Sequence, residues 1–144
     1  MLENLGFSDE SFDVVVASFV LEHVSDLQTA ARNAARVLKP GGLFLFSGIN
    51  RTLMTLFIVS IGFQYVLRKI PRGTLRWKKF VRPEELAAAL KECGVHTVET
   101  RGVARRHPYS VMLWNKLWKR PAGDFILTQD MGMCYVGHAT KGAR

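Results

Sequence analysis

Phe12-Asp13-Val14-Val15-Val16-Ala17-Ser18 reads as a strand, and Leu21-Glu22-His23-Val24 follows at its far end. The Val-rich run lacks a polar face apart from Asp13, as expected of a parallel strand covered on both sides. Ser25-x-x-Gln28 then fits a capping box. Leu27, Ala30, Ala31, Ala34, Val37 and Leu38 share one helical face, with Arg32, Asn33 and Arg36 mostly on the other. Pro40-Gly41-Gly42 is expected to end that helix and turn the chain into a second apolar strand, Leu43 to Ile49. Strand, acidic loop, helix, Pro-Gly-Gly turn and strand in this order belong to the middle of a nucleotide-type α/β domain. The first half of such a domain is therefore expected to lie ahead of Met1.

Working outward, residues 53–67 form the most apolar stretch, Leu-Met-Thr-Leu-Phe-Ile-Val-Ser-Ile-Gly-Phe-Gln-Tyr-Val-Leu. As one helix it would be about 22 Å long, short of the ~30 Å hydrocarbon core of a bilayer. Residues 68–82 follow with seven Lys or Arg and no acid. Pro83 at a first helical position, with Glu84 and Glu85 in the first turn, starts another helix that stops at Gly94. His96 to Thr100 alternates like a strand, and Met133 to Thr140 is expected to be the last strand. Signals over 103–130 are mixed, with a short helix expected at Ser110–Lys119. The pattern β-α-β-insert-α-β-variable-β predicts an open, mostly parallel sheet whose last strand, lacking a crossover helix, could be antiparallel.

The 144 residues suffice for one domain with a core, and their net charge of +8 is unevenly placed. Residues 1–50 hold 3 basic and 6 acidic side chains; residues 51–120 hold 15 and 4. The basic character is thus local and centred on the insert. No run of ~18 apolar residues predicts a transmembrane helix. The start of the chain lacks the pattern of a secretory signal or transit peptide. Cys93 and Cys134 show no CxxC spacing and read as structural thiols of a reducing compartment.

Ligands of open α/β sheets bind outside the carboxyl ends of the strands. Ser18, Phe19, Glu22 and His23 lie there, as do Gly48, Ile49, Asn50 and Arg51. Position makes Glu22-His23 a site candidate; the plainer alternative is a solvated loop, or His23 capping a neighbouring element. No glycine-rich cofactor turn, P-loop, GxSxG, HExxH or paired-Cys zinc pattern occurs. His96, His107 and His138 lack ligand spacing and read as structural.

The sequence resembles the class I S-adenosylmethionine-dependent methyltransferases, and within them the ubiquinone-biosynthesis O-methyltransferases. Phe12-Asp13-Val14-Val15, Leu21-Glu22-His23-Val24, Leu38-Lys39-Pro40-Gly41-Gly42 and Ile49-Asn50-Arg51 carry the general likeness. Ile70-Pro71-Arg72-Gly73-Thr74 and Trp77-x-Lys79-Phe80-Val81-x-Pro83-Glu84-Glu85-Leu86 carry the likeness to the ubiquinone branch. The resemblance covers roughly residues 10–102, with a weaker echo at Tyr135. It implies a single partial domain over 1–144: the C-terminal half of a Rossmann-like sheet, helices on both faces, and an apolar and basic insert at about 51–82. Family strands run in the order 3-2-1-4-5-7-6, so this chain would hold strands 4-5-7-6, the last antiparallel, and strand Phe12–Ala17 would be a bare edge.

The resemblance also implies chemistry. A catechol oxygen attacks the sulfonium methyl of S-adenosylmethionine, and the sulfur leaves with the bond's electron pair. His23 is the expected base, Glu22 its orienter, and Ser18 matches a cofactor contact. The family carries a Glu-x-x-Glu-His metal motif, here reduced to Glu22 and His23 as ligands for Mg²⁺ or another divalent cation, because Phe19 stands in the first Glu position. The family's glycine-rich loop and ribose-binding acid would precede Met1, so weak or no cofactor binding is expected of this chain alone. Where the family has Tyr-Asn-Pro, this chain has Gly102-Val-Ala-Arg-Arg-His-Pro108.

The insert has two readings: a buried core helix, or an interfacial helix that gathers a lipid-like substrate. In the second, Leu53, Leu56, Phe57, Ile58 and Phe63 enter the bilayer and Arg68, Lys69 and Arg72 meet anionic headgroups, each cation worth about 1 kcal/mol. The implied partners are a polyprenyl catechol, an anionic membrane surface and other ubiquinone-pathway proteins, with no nucleic acid. The implied location is peripheral, on the matrix side of the mitochondrial inner membrane or the bacterial cytoplasmic face. A non-catalytic assembly component and another class I small-molecule methyltransferase stay open as alternatives.

Overall fold

The computed structural model describes residues 6–66, 68, 71, 73–105 and 125–143, with Phe63 and Arg105 by backbone only. The opening block forms β1, Phe12–Ser18, then a 3-10 turn, Leu21–His23, and helix α1, Leu27–Val37. The cap of α1 is Asp26, not Ser25. Its carboxylate accepts from the backbone N–H of Gln28 at 3.0 Å and of Thr29 at 3.2 Å. A negative charge at this position also faces the positive end of the helix.

Strand β2 spans Leu38–Ile49 and begins directly where α1 ends. Pro40-Gly41-Gly42 is therefore not a turn between elements but an irregularity inside β2. Phe12 pairs with Leu38 and Val14 with Leu43, so the extra residues bulge out of the ladder. Gly41 takes the left-handed φ of 76° that this detour needs.

After the insert, helix α3 spans Pro83–Glu92, with Pro83 and the two glutamates in its first turn as the sequence predicts. Gly94, at φ 74°, turns the chain into β3, Val95–Arg105, which runs five residues beyond the expected Thr100. Strand β4, Phe125–Thr128, lies where the sequence signals are mixed, and β5 spans Cys134–Lys141. The helix expected at Ser110–Lys119, and His107, lie outside the described residues.

The sheet order is β1-β2-β5-β3-β4. Strands β1 and β2 are parallel, and β5 runs antiparallel to both of its neighbours. This is the 4-5-7-6 order with β4 added at the outer end. Among the described residues β1 is the other edge. The both-sided burial expected of it is met on one side only: Ala17 is buried, while Val16 is 62% exposed.

Alanine makes the core possible. Ala31, Ala34 and Ala35 of α1 and Leu86, Ala89 and Leu90 of α3 pack together over Ala17, Phe44, Phe46, Tyr135 and Ala139. Short side chains let the two helices approach closely over one sheet face. Helices on both faces are thus met on this face among the described residues, whereas Val14 and Val16 stand exposed on the other. Tyr135 leans over Gly48, where a Cβ would lie 2.9 Å from its hydroxyl.

The insert departs from a single α-helix. A short turn, α2 at Leu53–Thr55, widens into a π-type helix over Leu56–Val66. Runs of this type usually last one turn. Gln64 supplies a local cause. Its side-chain amide donates to Ser60 O at 3.0 Å, the carbonyl that the Gln64 backbone N–H would use in an α-helix. The same amide donates to Leu75 O at 2.7 Å and accepts from Leu75 N–H at 3.3 Å. The insert is therefore sewn to the segment that follows it.

Candidate active site at the strand ends

The ladder between β1 and β2 runs to the end of β1, where Ser18 pairs with Ser47. The two hydroxyls lie 3.0 Å apart. One further bond, Phe19 N–H to Ser47 O at 3.1 Å, carries the ladder into the next residue. Phe19 then adopts φ 49°, the left-handed region that costs an L side chain roughly 1–2 kcal/mol. This reversal delivers Leu21–His23.

Within that turn Leu21 and Glu22 are buried and His23 is exposed. Burial pushes the Glu22 carboxyl above its ordinary range, while its own backbone N–H and His23 act the other way. Tyr135 lies in the same buried layer. Burial pushes its phenol upward, and the negative charges of Glu22, Glu85 and Glu84 add to this. Its hydroxyl is buried with no hydrogen-bond partner among the described residues. Cys134 is likewise raised, first by burial and then by Glu22.

Asn50 and Arg51, at the end of β2, have structural partners. Asn50 Nδ2 donates to Met131 O at 2.8 Å and its backbone N–H to Met133 O at 2.8 Å. Arg51 pairs with Glu85 of α3. Thr52 Oγ1 donates to Gly132 O at 2.7 Å, and Trp77 Nε1 donates to Thr52 O at 2.8 Å. The insert is thus rooted on the loop before β5, beside the strand ends.

The structure brings Ser18, Glu22 and His23 to one end of the sheet, as their spacing predicts. Ser18 is exposed there, which fits a residue that touches a cofactor. The metal set does not fit. Among the described residues no group of three His, Cys, Asp or Glu could hold an ion. Glu22 faces the interior and His23 faces out, so two neighbours in sequence do not share a coordination sphere.

Along the insert, Leu53, Phe57, Ile61 and Tyr65 recur every four residues and are exposed, Phe57 at 63%. Thr55, Val59, Ser60 and Gln64 are buried, Gln64 at 2% exposure. Of the predicted lipid contacts, Leu53, Phe57 and Arg68 are exposed, and Leu56 and Ile58 are partly buried. The Phe63 side chain, Lys69 and Arg72 lie outside the described residues. Sequence reading missed the inward polar row. Gln64 in an otherwise apolar run was the available signal. Nothing in the sequence announced the backbone of Phe19.

Residues 1–46 match a family model described as a methyltransferase domain. The fold is similar to that of a Thermotoga maritima S-adenosylmethionine-dependent methyltransferase, a possible histamine N-methyltransferase. The TM-score is 0.61 at 23% identity, over 97% of this chain and 61% of that one. A [4+2]-cyclase shares it too, with TM-score 0.59 at 17% identity, over 100% of this chain and 54% of that one. Matches this distant establish the fold alone, and one fold hosts more than one chemistry. The strand order, the strand-end site and the family model together define the chain as part of a class I methyltransferase domain.

Its sequence narrows this to the ubiquinone branch. It is 44% identical over 109 residues to the ubiquinone biosynthesis O-methyltransferase of Methylobacterium sp. (strain 4-46), covering 76% of this chain and 43% of that protein. It is 40% identical over 132 residues to the protein of the same name from Hahella chejuensis, covering 92% of this chain and 50% of that protein. The chain spans about half the length of these curated relatives.

Proposed function

We propose that this chain supplies the substrate-facing part of an S-adenosylmethionine-dependent O-methyltransferase that modifies polyprenylated catechols at an anionic membrane surface. The observation that supports it is the inverted insert helix, apolar outward and, Val59 apart, polar inward, rooted by Asn50 and Thr52 on the loop before β5. Water would favour the opposite arrangement; an acyl layer favours this one. The exposed cations Arg68, Arg76, Lys78, Lys79 and Arg82 follow directly. No described helix is long and apolar enough to cross a membrane, and lying on the surface requires none.

When bound, S-adenosylmethionine supplies an activated methyl group. The chain's own residues do the rest. Ser18 offers a hydroxyl where the cofactor would sit. His23, exposed at the same strand end, takes the proton of the attacking catechol oxygen, a phenol with an ordinary pKa of about 10. Glu22, behind it and out of water, fixes the turn that aims His23 outward. Bound near Ser18, S-adenosylmethionine would supply the methyl group to the catechol oxygen, and its sulfur would leave with the carbon–sulfur electron pair. No step is assigned to a divalent cation. The working location is the matrix face of the mitochondrial inner membrane in a eukaryote, or the cytoplasmic face in a bacterium, with other pathway proteins as neighbours.

Two measurements test this. Flotation with anionic vesicles should capture the chain and lose the variant Leu53→Ser/Phe57→Ser/Ile61→Ser. Equal flotation of both would end the membrane reading. In cells lacking the ubiquinone O-methylation step, the gene encoding these residues should restore ubiquinone, and its His23→Ala form should not. Restoration by His23→Ala would instead favour a non-catalytic assembly role.

A further inference from the structure

Phe19 is held in a conformation its own side chain opposes. At φ 49° its β-carbon crowds the backbone, and glycine or asparagine would fit there with less strain. The backbone is pinned on both sides. Before it, Phe19 N–H bonds Ser47 O at 3.1 Å; after it, His23 N–H bonds Val20 O at 3.0 Å. Burial is the usual compensation for such strain, yet Phe19 is 46% exposed. It belongs to none of the ring pairs among the described residues, which join Phe7 to Phe12, Phe44 to Phe46 and Phe46 to Tyr135. A strained, exposed aromatic at a strand end points to use by a ligand.

Its surroundings say what kind of ligand. Val20 is exposed beside it, and so are Leu53 and Met54 in α2, which three residues separate from the end of the adjacent strand β2. The apolar row of the insert begins there. His23 stands exposed three residues after Val20 in the same turn. The phenyl ring at position 19 offers no metal donor, but it does offer a flat apolar face.

We infer that Phe19 is a substrate-positioning residue whose ring receives the flat face of the catechol, with the tail laid over Val20 toward Leu53 and Met54 and a hydroxyl presented to His23. The site orients its substrate by stacking rather than by chelation. This rests on the proposed substrate class.

The test measures binding of catechol and of geranyl-substituted catechol to the full chain by saturation-transfer NMR. The variants are Phe19→Trp, Phe19→Ala and Phe19→Gly, with the melting temperature of each recorded. Phe19→Trp should bind both probes as the parent does. Phe19→Ala and Phe19→Gly should weaken both by about fivefold to tenfold, the worth of one aromatic pair. Phe19→Gly should also melt higher, because the left-handed backbone then costs nothing. Parent-like binding by a folded Phe19→Gly overturns the inference and leaves the proposed function standing. Weaker binding with a lower melting temperature makes Phe19 a fold element and also overturns it. If the parent binds neither probe, the proposed substrate class falls and the inference with it.

Discussion

Helix α1 and the insert helix follow opposite rules. Helix α1 buries Ala30, Ala31, Ala34, Ala35 and Val37 and turns Gln28 and Arg32 outward. The insert buries Thr55, Ser60 and Gln64 alongside Val59 and turns Leu53, Phe57, Ile61 and Tyr65 outward. Both patterns are ordered, so neither is an accident of composition. The outward face of α1 is polar and suits water; the outward face of the insert is apolar.

The sharpest way to break this comparison is through the α1–α3 interior. Leu90 is fully buried among Ala31, Ala34 and Ala35 and their neighbours. Leu90→Ala should cost about 2–5 kcal/mol in urea unfolding. A loss below 1 kcal/mol would mean this face is not a core. On the insert, the inward side chains matter in the polar sense. Gln64→Leu keeps the size but strands the N–H and C=O of Leu75, at a cost of about 1–3 kcal/mol. The loss should be local, seen as faster hydrogen exchange at the Leu75 amide. Unchanged exchange there would show that Gln64 clamps nothing.

Glu22 sits between the two regimes, a carboxylate taken out of water. Its folded value is raised above the ordinary 4.5. The folded state therefore holds its proton to higher pH than the unfolded chain. Stability falls as pH rises from about 4.5 through the raised value and stays lowered above it. Glu22→Gln should melt higher at pH 7.5 and be equal to the parent at pH 4. No gain at pH 7.5 would show that Glu22 is compensated by contacts in solution. The smallest effect on stability belongs to the outward row. Phe57→Ser should change unfolding free energy by no more than about 0.5 kcal/mol, yet weaken vesicle binding by about tenfold or more. A large stability loss would place Phe57 in a core.

How much of this was legible depended on whether a feature is local or long-range. The strand ends carrying Ser18, Glu22 and His23 followed from the Val-rich run and the position rule for parallel sheets. The antiparallel last strand followed from the missing crossover helix. The cap was misplaced by one residue because Ser25 and Asp26 both satisfy the local pattern, and only geometry selects the carboxylate that reaches two N–H groups. Pro40-Gly41-Gly42 was misread because a turn and a bulge use the same residues; β1 pairing on both sides of it decides between them. The bare edge at β1 followed from the resemblance, but its one-sided burial did not, since a Val-rich strand reads the same whether one face of the sheet is covered or both. The wide helix depends on Gln64 meeting Leu75, eleven residues away, and Phe19's backbone depends on Ser47.

The place of β5 has a consequence for synthesis order. Residues 134–141 lie between β2 and β3 and give both their ladder partner. The strand at the middle of the sheet is thus made after the strands it joins. Among the described strands, β2 then has only β1 as a native partner, and β3 only β4. Pairings this distant in sequence form slowly, and unpaired apolar strands are exposed in the meantime. The keystone of this sheet arrives last, so the interval before residue 141 is made is when the nascent chain most needs protection from association.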